Sequence, residues 1–208
     1  RSLAVLASRT RIYSSLSDLI NKSNEILPTE VTALLDHSVG PEDYHRDDEK
    51  RDAILNDYKS SLIRMTYIGE SAGAKTILVT PASNLGDFSP FKSEPSNNLS
   101  LLEISSVDSL KQAVTASIEK SDYISAEVIS REALSIDERD PDLLYLRAKA
   151  LLKLNRVDEA RSAFIQSKDE DVCPLRALSP IRDIVMEVAK TENTGFVDFV
   201  DIINKHSL

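Results

Sequence analysis

The chain has 208 residues, of which 41% are hydrophobic and 28% charged, the usual balance of a globular protein rather than a disordered or low-complexity one. Its 34 acidic and 25 basic residues give a formal net charge of -9, which disfavours binding to nucleic acids and to anionic membranes. The single Cys173 and three histidines exclude an internal disulfide and a zinc finger. No apolar run approaches the roughly 20 residues of a membrane span.

The N-terminal residues 2–35 have apolar residues at roughly helical intervals, and Pro28 ends the first part of that pattern. The chain begins with Arg1 rather than Met, and no charged-then-apolar leader follows. We therefore expect a piece of a longer protein or a processed product.

A stronger helix is predicted next, with Asp47 or Asp48 as its cap and Gly69 or Gly73 as its end. Its apolar stripe is expected to consist of Ile54, Tyr58, Leu62 and Met65.

Residues 76–80 form a β-branched apolar run without polar alternation, which predicts a strand buried on both faces of a parallel sheet. The loop that follows, residues 82–100, is rich in Pro, Ser and Asn and exceeds the usual connection length. Loops of this kind are commonly functional or disordered.

Residues 107–171 contain an internal repeat. Ala126 and Ala160 lie 34 residues apart, each near the start of the second helix of a pair, and Leu110 and Leu144 share that offset. This period, with small residues where helices touch, resembles tetratricopeptide repeats. Asn155 stands in a turn that usually carries glycine, and asparagine tolerates the left-handed conformation. Two units are fewer than a free-standing solenoid needs, so they are expected to lean on other structure.

After the repeats, Ser179 is predicted to cap a helix with Pro180 at its first position and a stripe of Ile184, Val185 and Val188. Residues 195–198 predict a short strand, and residues 200–205 the beginning of another helix. The outline is an α/β crossover with helical hairpins inserted. Two strands are too few for a stable sheet, so we expect the missing strands to lie outside this chain.

Several motifs suggest chemistry that their context does not support. Gly69 to Gly73 match the Gly-x-Ser-x-Gly pattern of a nucleophile elbow, but a helix leads into it and a strand leads out, the reverse of what the elbow requires. The acids at 169–171 lack the spacing of a calcium loop, and Cys173 lacks a histidine base in its motif, so we predict no metal site and an inert thiol.

The long loop is the stronger candidate for a binding site, because it leaves the carboxyl end of a strand, where open α/β sheets bind their ligands. It carries Asn84, Asp87, Lys92 and Ser93, and Arg176 could clamp a carboxylate or phosphate or simply pair with the neighbouring acids. The alternative is a surface loop whose polar side chains cap its own backbone. The spacing of these residues favours neither interpretation.

Four segments together resemble one group of SGNH/GDSL-type hydrolases, which carries tetratricopeptide-like repeats inside the hydrolase domain. They are ASRTRIY at 7–13, YHRDD at 44–48, PASNLGDFSPFKSE at 81–94 and KDEDVCPLR at 168–176. The resemblance implies a flavodoxin-like three-layer α/β fold with a parallel sheet, of which about two strands lie here, and hydrolysis of an ester substrate by a serine. The family's Gly-Asp-Ser, Gly-x-Asn and Asp-x-x-His blocks are absent, so we assign no catalytic residue and no cofactor or metal.

The predicted organisation is a partial α/β region at 1–106, a tetratricopeptide-like insert at 107–171 and a return to the α/β region at 172–208. The leading functional prediction is the non-catalytic middle of an ester hydrolase, with Asn84, Asp87, Lys92, Ser93 and Arg176 shaping the substrate mouth. The alternative is a helical-repeat module that binds a protein partner. An open concave face on the repeat helices would favour that alternative.

Overall fold

The computed structural model describes residues 41–206. The helical pattern predicted at residues 2–35 lies outside them. The described elements are a 3-10 helix at Pro41–Asp43 and, in chain order, α1 (Asp48–Ser71), β1 (Ile77–Val79), α2 (Leu101–Glu119), α3 (Tyr123–Ile136), α4 (Pro141–Lys153), α5 (Val157–Glu170), α6 (Ser179–Thr191), β2 (Gly195–Val197) and α7 (Phe199–His206). This part of the chain is therefore mostly helical.

Helix α1 begins and ends close to where the sequence predicts. The Asp47 carboxylate accepts a hydrogen bond from the Lys50 backbone N–H at 2.9 Å, and Gly73, just beyond the helix, has a φ of +73°. The predicted apolar stripe is only partly right, because Ile54 and Met65 are exposed. The buried positions are Leu62 and, one turn later, Thr66, whose hydroxyl donates to a carbonyl of its own helix.

Helices α2 to α5 form two helix-turn-helix pairs, with consecutive helices packed on one another. The first helix begins at Leu101, six residues before the predicted boundary, because Ser100 and Glu103 form a reciprocal capping box. Ala126 and Ala160 are almost completely buried, as expected of small residues at helix contacts. Asn155 has a φ of +61°, which confirms the left-handed turn between α4 and α5.

The two strands pair in parallel, with Leu78 opposite Phe196. The prediction of burial on both faces of β1 is wrong. Leu78 packs with α1 and α6 residues, whereas Ile77 and Val79 are 63% and 51% exposed. Both helices pack on one face of the sheet, so within residues 41–206 no element covers the opposite face, to which Val197 also contributes.

Helix α6 differs from its prediction at the first residue. Leu178 is the N-cap and Ser179 is already helical, so the N-cap residue itself has no side chain that could accept a capping hydrogen bond. The Ser179 backbone N–H instead donates to the Asp169 carboxylate at 2.8 Å. Val185 and Val188 are buried, as the predicted stripe requires.

Candidate functional site

The long loop between β1 and α2 lies against the repeat helices, and this contact determines the geometry of the candidate site. Tyr145 of α4 donates its hydroxyl hydrogen bond to the Gly86 carbonyl at 2.7 Å. Leu85 packs on the apolar cluster between α4 and α5, where the rings of Tyr145 and Phe164 also meet edge to face at 5.4 Å. The face of α4 that carries Tyr145 is therefore in contact with the chain's own loop.

Asp171, directly after α5, fastens the centre of the loop. Its buried carboxylate accepts hydrogen bonds from the backbone N–H groups of Phe91 at 2.7 Å, Lys92 at 3.0 Å and Cys173 at 3.1 Å. The Val172 N–H in turn donates to the Lys92 carbonyl at 3.0 Å. A single carboxylate thus satisfies three backbone donors, two of them in a loop with no secondary structure of its own.

Two further aspartates hold the end of the loop. Asp137, at the end of α3, accepts hydrogen bonds from the backbone N–H and hydroxyl of Ser96. Asp140 caps α4 by accepting from the Leu143 N–H at 2.9 Å, and its carboxylate also accepts from the Ser93 hydroxyl at 3.3 Å. The turn between α3 and α4 therefore serves both the repeat and the loop.

A network of ion pairs joins the start of α1 to the loop and the repeats. Arg46 donates to Glu170 at 2.6 Å and to the Glu94 backbone carbonyl at 3.1 Å. Arg139 donates to the same Glu170 at 2.8 Å and holds both oxygens of Asp48, at 2.8 and 2.9 Å. The hydrogen bonds from Arg139 lower the pKa of Asp48 from its ordinary value to about 2.

Asp198, directly after β2, has a similarly depressed pKa of about 2, because Arg182 donates to it at 2.6 Å and Thr80 at 2.8 Å. A folded-state pKa below the unfolded value stabilises the fold above about pH 4 and loses that contribution as the pH falls toward 2. Asp48 is half exposed, so solvent screening limits its contribution to about 1 kcal/mol.

We therefore expect the urea midpoint to fall between pH 5 and pH 2.5, and to fall less in a double variant with Asp48→Asn and Asp198→Asn. Asp57→Asn, an exposed position in α1, is the control and should behave as the wild type. An equal drop in the double variant would contradict the assignment of these two carboxylates as acid-sensitive.

The loop residues predicted to bind substrate direct their polar atoms to the chain itself. Asn84 and Asp87 bond to each other in a local turn, with the Asp87 N–H donating to the Asn84 side chain at 3.1 Å. Lys92 donates to the Glu42 and Tyr44 carbonyls. Ser93 bonds to Asp140. The Asn84–Asp87 turn fits the surface-loop alternative, whereas Lys92 and Ser93 bond to residues outside the loop, and a role in substrate binding stays a prediction.

Arg176, which follows α5 in the chain, also contacts the long loop. Its Nη1 donates to the carbonyls of Asn84 at 3.2 Å and Phe88 at 2.7 Å, and its guanidinium stands 5.1 Å from the centre of the Phe88 ring. Among the described residues, Arg176 makes no hydrogen bond with Asp169 or Asp171. The alternative in which it pairs with these neighbouring acids is therefore not observed. The Arg176 Nε and Nη2 are buried and make no hydrogen bond among those residues.

A cleft of about 120 Å3 opens beside the carboxyl ends of the two strands, where the sequence predicts a ligand crevice. Pro81, Lys168, Arg182 and Val200 are among the residues that line it. Lys168 donates to the Ala177 carbonyl at 2.9 Å, and Arg182 pairs with the Asp198 carboxylate. Both of these cations are thus already engaged within the protein.

A group of arginines on the repeat has no motif in the sequence. Arg131, Arg147 and Arg156 surround the buried Glu127, and Glu159 stands beside Arg156. The four-residue spacing of Glu127 and Arg131 is a readable helical pair, but no sequence pattern brings Arg147 from the next helix to the same carboxylate.

Residues 41–206 contain no candidate site for metal chemistry or for thiol chemistry. No group of three or more potential metal ligands occurs there. Cys173 is buried, and that burial raises the pKa of its thiol. The helices described for this chain also include none with the length and apolar character needed to span a membrane.

Comparison with known proteins identifies one region. The family model of the tetratricopeptide repeat matches residues 117–172, which run from the end of α2 to the residue after Asp171. The chain therefore contains a tetratricopeptide-like repeat in the part where the sequence shows the 34-residue period. No curated protein and no solved structure matches the chain.

Proposed function

We propose that the repeat region is a module that binds another protein. The observation that carries this proposal is the family match over residues 117–172, which covers the three consecutively packed helices α3, α4 and α5. Repeats of this kind build extended surfaces for partners rather than catalytic sites.

The surface available to a partner is not the whole repeat. The chain's own loop contacts the face of α4 that carries Tyr145, so a partner would bind elsewhere. Ile124 and Val128 lie one turn apart on α3 and are 68% and 51% exposed, and Leu152 and Val157 are about half exposed at the turn between α4 and α5. Exposed apolar side chains on neighbouring elements support a protein-binding surface.

The proposal predicts that partner capture depends on this surface. The immobilised chain is compared with a variant carrying Ile124→Ser and Val128→Ser, and with a matched control carrying Met65→Ser and Ile68→Ser, which are equally exposed on α1. We expect that at least one protein is retained by the wild type and by the control but is not retained by the α3 variant. That protein is then purified and its affinity for each variant is measured by calorimetry.

The outcome that contradicts the proposal is a set of captured proteins that is the same for all three chains. A loss of capture by both variants would also count against it, because the dependence would then not be specific to the repeat.

A second candidate is a supporting segment of an SGNH-type ester hydrolase with a flavodoxin-like sheet. The parallel pairing of β1 and β2 and the exposed apolar side chains of Ile77, Val79 and Val197 favour it, because a larger parallel sheet is covered on both faces. Under this proposal, the loop residues and Arg176 shape the mouth of an ester site whose catalytic residues lie elsewhere. If the reading frame around this sequence contains no Gly-Asp-Ser block and no Asp-x-x-His block, this second candidate is excluded.

A further inference from the structure

Three arginines from different parts of the repeat converge on one carboxylate. Glu127 of α3 is buried, with only 4% of its surface exposed. Arg131, one turn later, donates to it at 2.6 Å. Arg156, in the turn before α5, has its Nη1 3.5 Å from the Glu127 Oε1, and Arg147 of α4 has its Nη2 3.7 Å from the same atom. The repeat packing thus gathers three positive charges at one place.

Among the residues that the structure describes, the acids at this place balance two of the three guanidiniums. Arg131 is paired with Glu127, and Arg156 donates to both oxygens of Glu159, at 2.7 and 2.6 Å. Arg147 makes no hydrogen bond with any other described residue, and its Nε is buried without a partner. A guanidinium carries five N–H donors, so Arg147 retains unused capacity for an anion.

The electrostatics of Glu127 agree with this excess of positive charge. Burial by itself raises the pKa of a carboxyl group, yet the pKa of Glu127 is lowered, because the hydrogen bond from Arg131 and the charges of the three arginines together outweigh burial. The Oε1 of Glu127 accepts no hydrogen bond within residues 41–206. The three arginines thus place more positive charge at this point than Glu127 and Glu159 balance.

Exposed apolar side chains lie close in sequence to Glu127 and Arg156. Ile124 and Val128 lie on α3 one turn before and directly after Glu127, and with Arg131 they follow the spacing that places helical residues on one face. Val157 follows Arg156 in the chain. All three apolar residues are at least half exposed. The surface thus combines one unbalanced guanidinium with an exposed apolar strip.

We propose that Arg147 binds the carboxylate of an acidic side chain in a partner protein, while an apolar neighbour of that side chain packs on Ile124 and Val128. This inference rests on the proposed function, because it gives the chemistry of the segment that the repeat would recognise. A nucleic acid is disfavoured, since the formal net charge of -9 repels a polyanion. One carboxylate beside an apolar residue matches the single unbalanced guanidinium.

The test uses the isotope-labelled full chain in NMR titrations with the peptide N-acetyl-Leu-Glu-Leu-amide. We expect saturable shifts of the Arg147 Nε–H signal and of α3 amides. Arg147→Gln should weaken binding roughly tenfold, the loss expected for a charge-assisted hydrogen bond. The matched control Arg64→Gln, at an exposed position of α1, should leave binding unchanged. A peptide with Gln in place of Glu should produce no shifts in the wild type.

An Arg147 signal that does not shift in the wild type overturns the inference without any variant. Should Arg147→Gln fail to fold, Ile124→Ser takes its place, and unchanged affinity in that variant is equally contradictory. Equal binding of the Gln peptide also overturns the inference. If a captured partner requires the α3 surface and still binds the Arg147→Gln variant with unchanged affinity, that result would contradict the arginine site but not the proposed protein-binding function of the repeat.

Discussion

Replacing Asp171 by alanine is expected to destabilise the fold by about 3–5 kcal/mol, the cost of removing a buried charged acceptor that serves three backbone donors. The carboxylate accepts from the backbone N–H groups of Phe91, Lys92 and Cys173, and alanine leaves all three donors without that acceptor. Because two of them belong to the long loop, the loop should also lose its fixed position on the repeat.

The measurement is urea unfolding followed by circular dichroism, together with hydrogen exchange of the loop amides. Asp57→Ala is the control, since Asp57 is exposed in α1 and makes no hydrogen bond with its side chain among the described residues. If Asp171→Ala is as stable as Asp57→Ala, the loop is not held by this carboxylate and the description of the site is wrong.

The second large effect concerns the contact between α4 and α5. Leu151 is completely buried beside Ala148, Ala160 and Phe164, so Leu151→Ala removes apolar contacts and leaves a cavity. Such changes cost about 2–5 kcal/mol. The neighbouring Leu152 is 48% exposed, which makes Leu152→Ala a control with the same change of side chain.

Both variants are compared by their free energies of unfolding in urea. We expect Leu151→Ala to account for nearly all of the difference between them and Leu152→Ala to lie within about 0.5 kcal/mol of the wild type, as for most surface substitutions. Equal effects at the two positions would mean that α4 presents a different face to α5 than the one described here.

Local signals predicted the helices well. The 34-residue offset of Ala126 and Ala160 identified the repeat, because helix-turn-helix units of one size place a small residue at each close contact. Asp47 predicted a helix cap and Asn155 a left-handed turn, because both features depend only on residues close in sequence. The parallel pairing of the two strands was also predicted from their composition and order.

Properties set by distant contacts were not predictable in the same way. The run at residues 76–80 is apolar throughout, yet only Leu78 of β1 is buried, because burial depends on which helices pack on the sheet. The polar loop residues have a composition typical of a binding site, but Lys92 and Ser93 bond to Glu42 and Asp140, 50 and 47 residues away. The convergence of Arg147 on Glu127 likewise depends on the packing of α3 on α4.

The claim that the repeat region binds a protein is tested most directly by the affinity of a purified captured partner for the wild type and for the chain with Ile124→Ser and Val128→Ser. We expect the affinity to fall at least tenfold in this variant and to stay unchanged in the control with Met65→Ser and Ile68→Ser, since an apolar contact surface is lost only in the first. The same affinity for all three chains would contradict the claim.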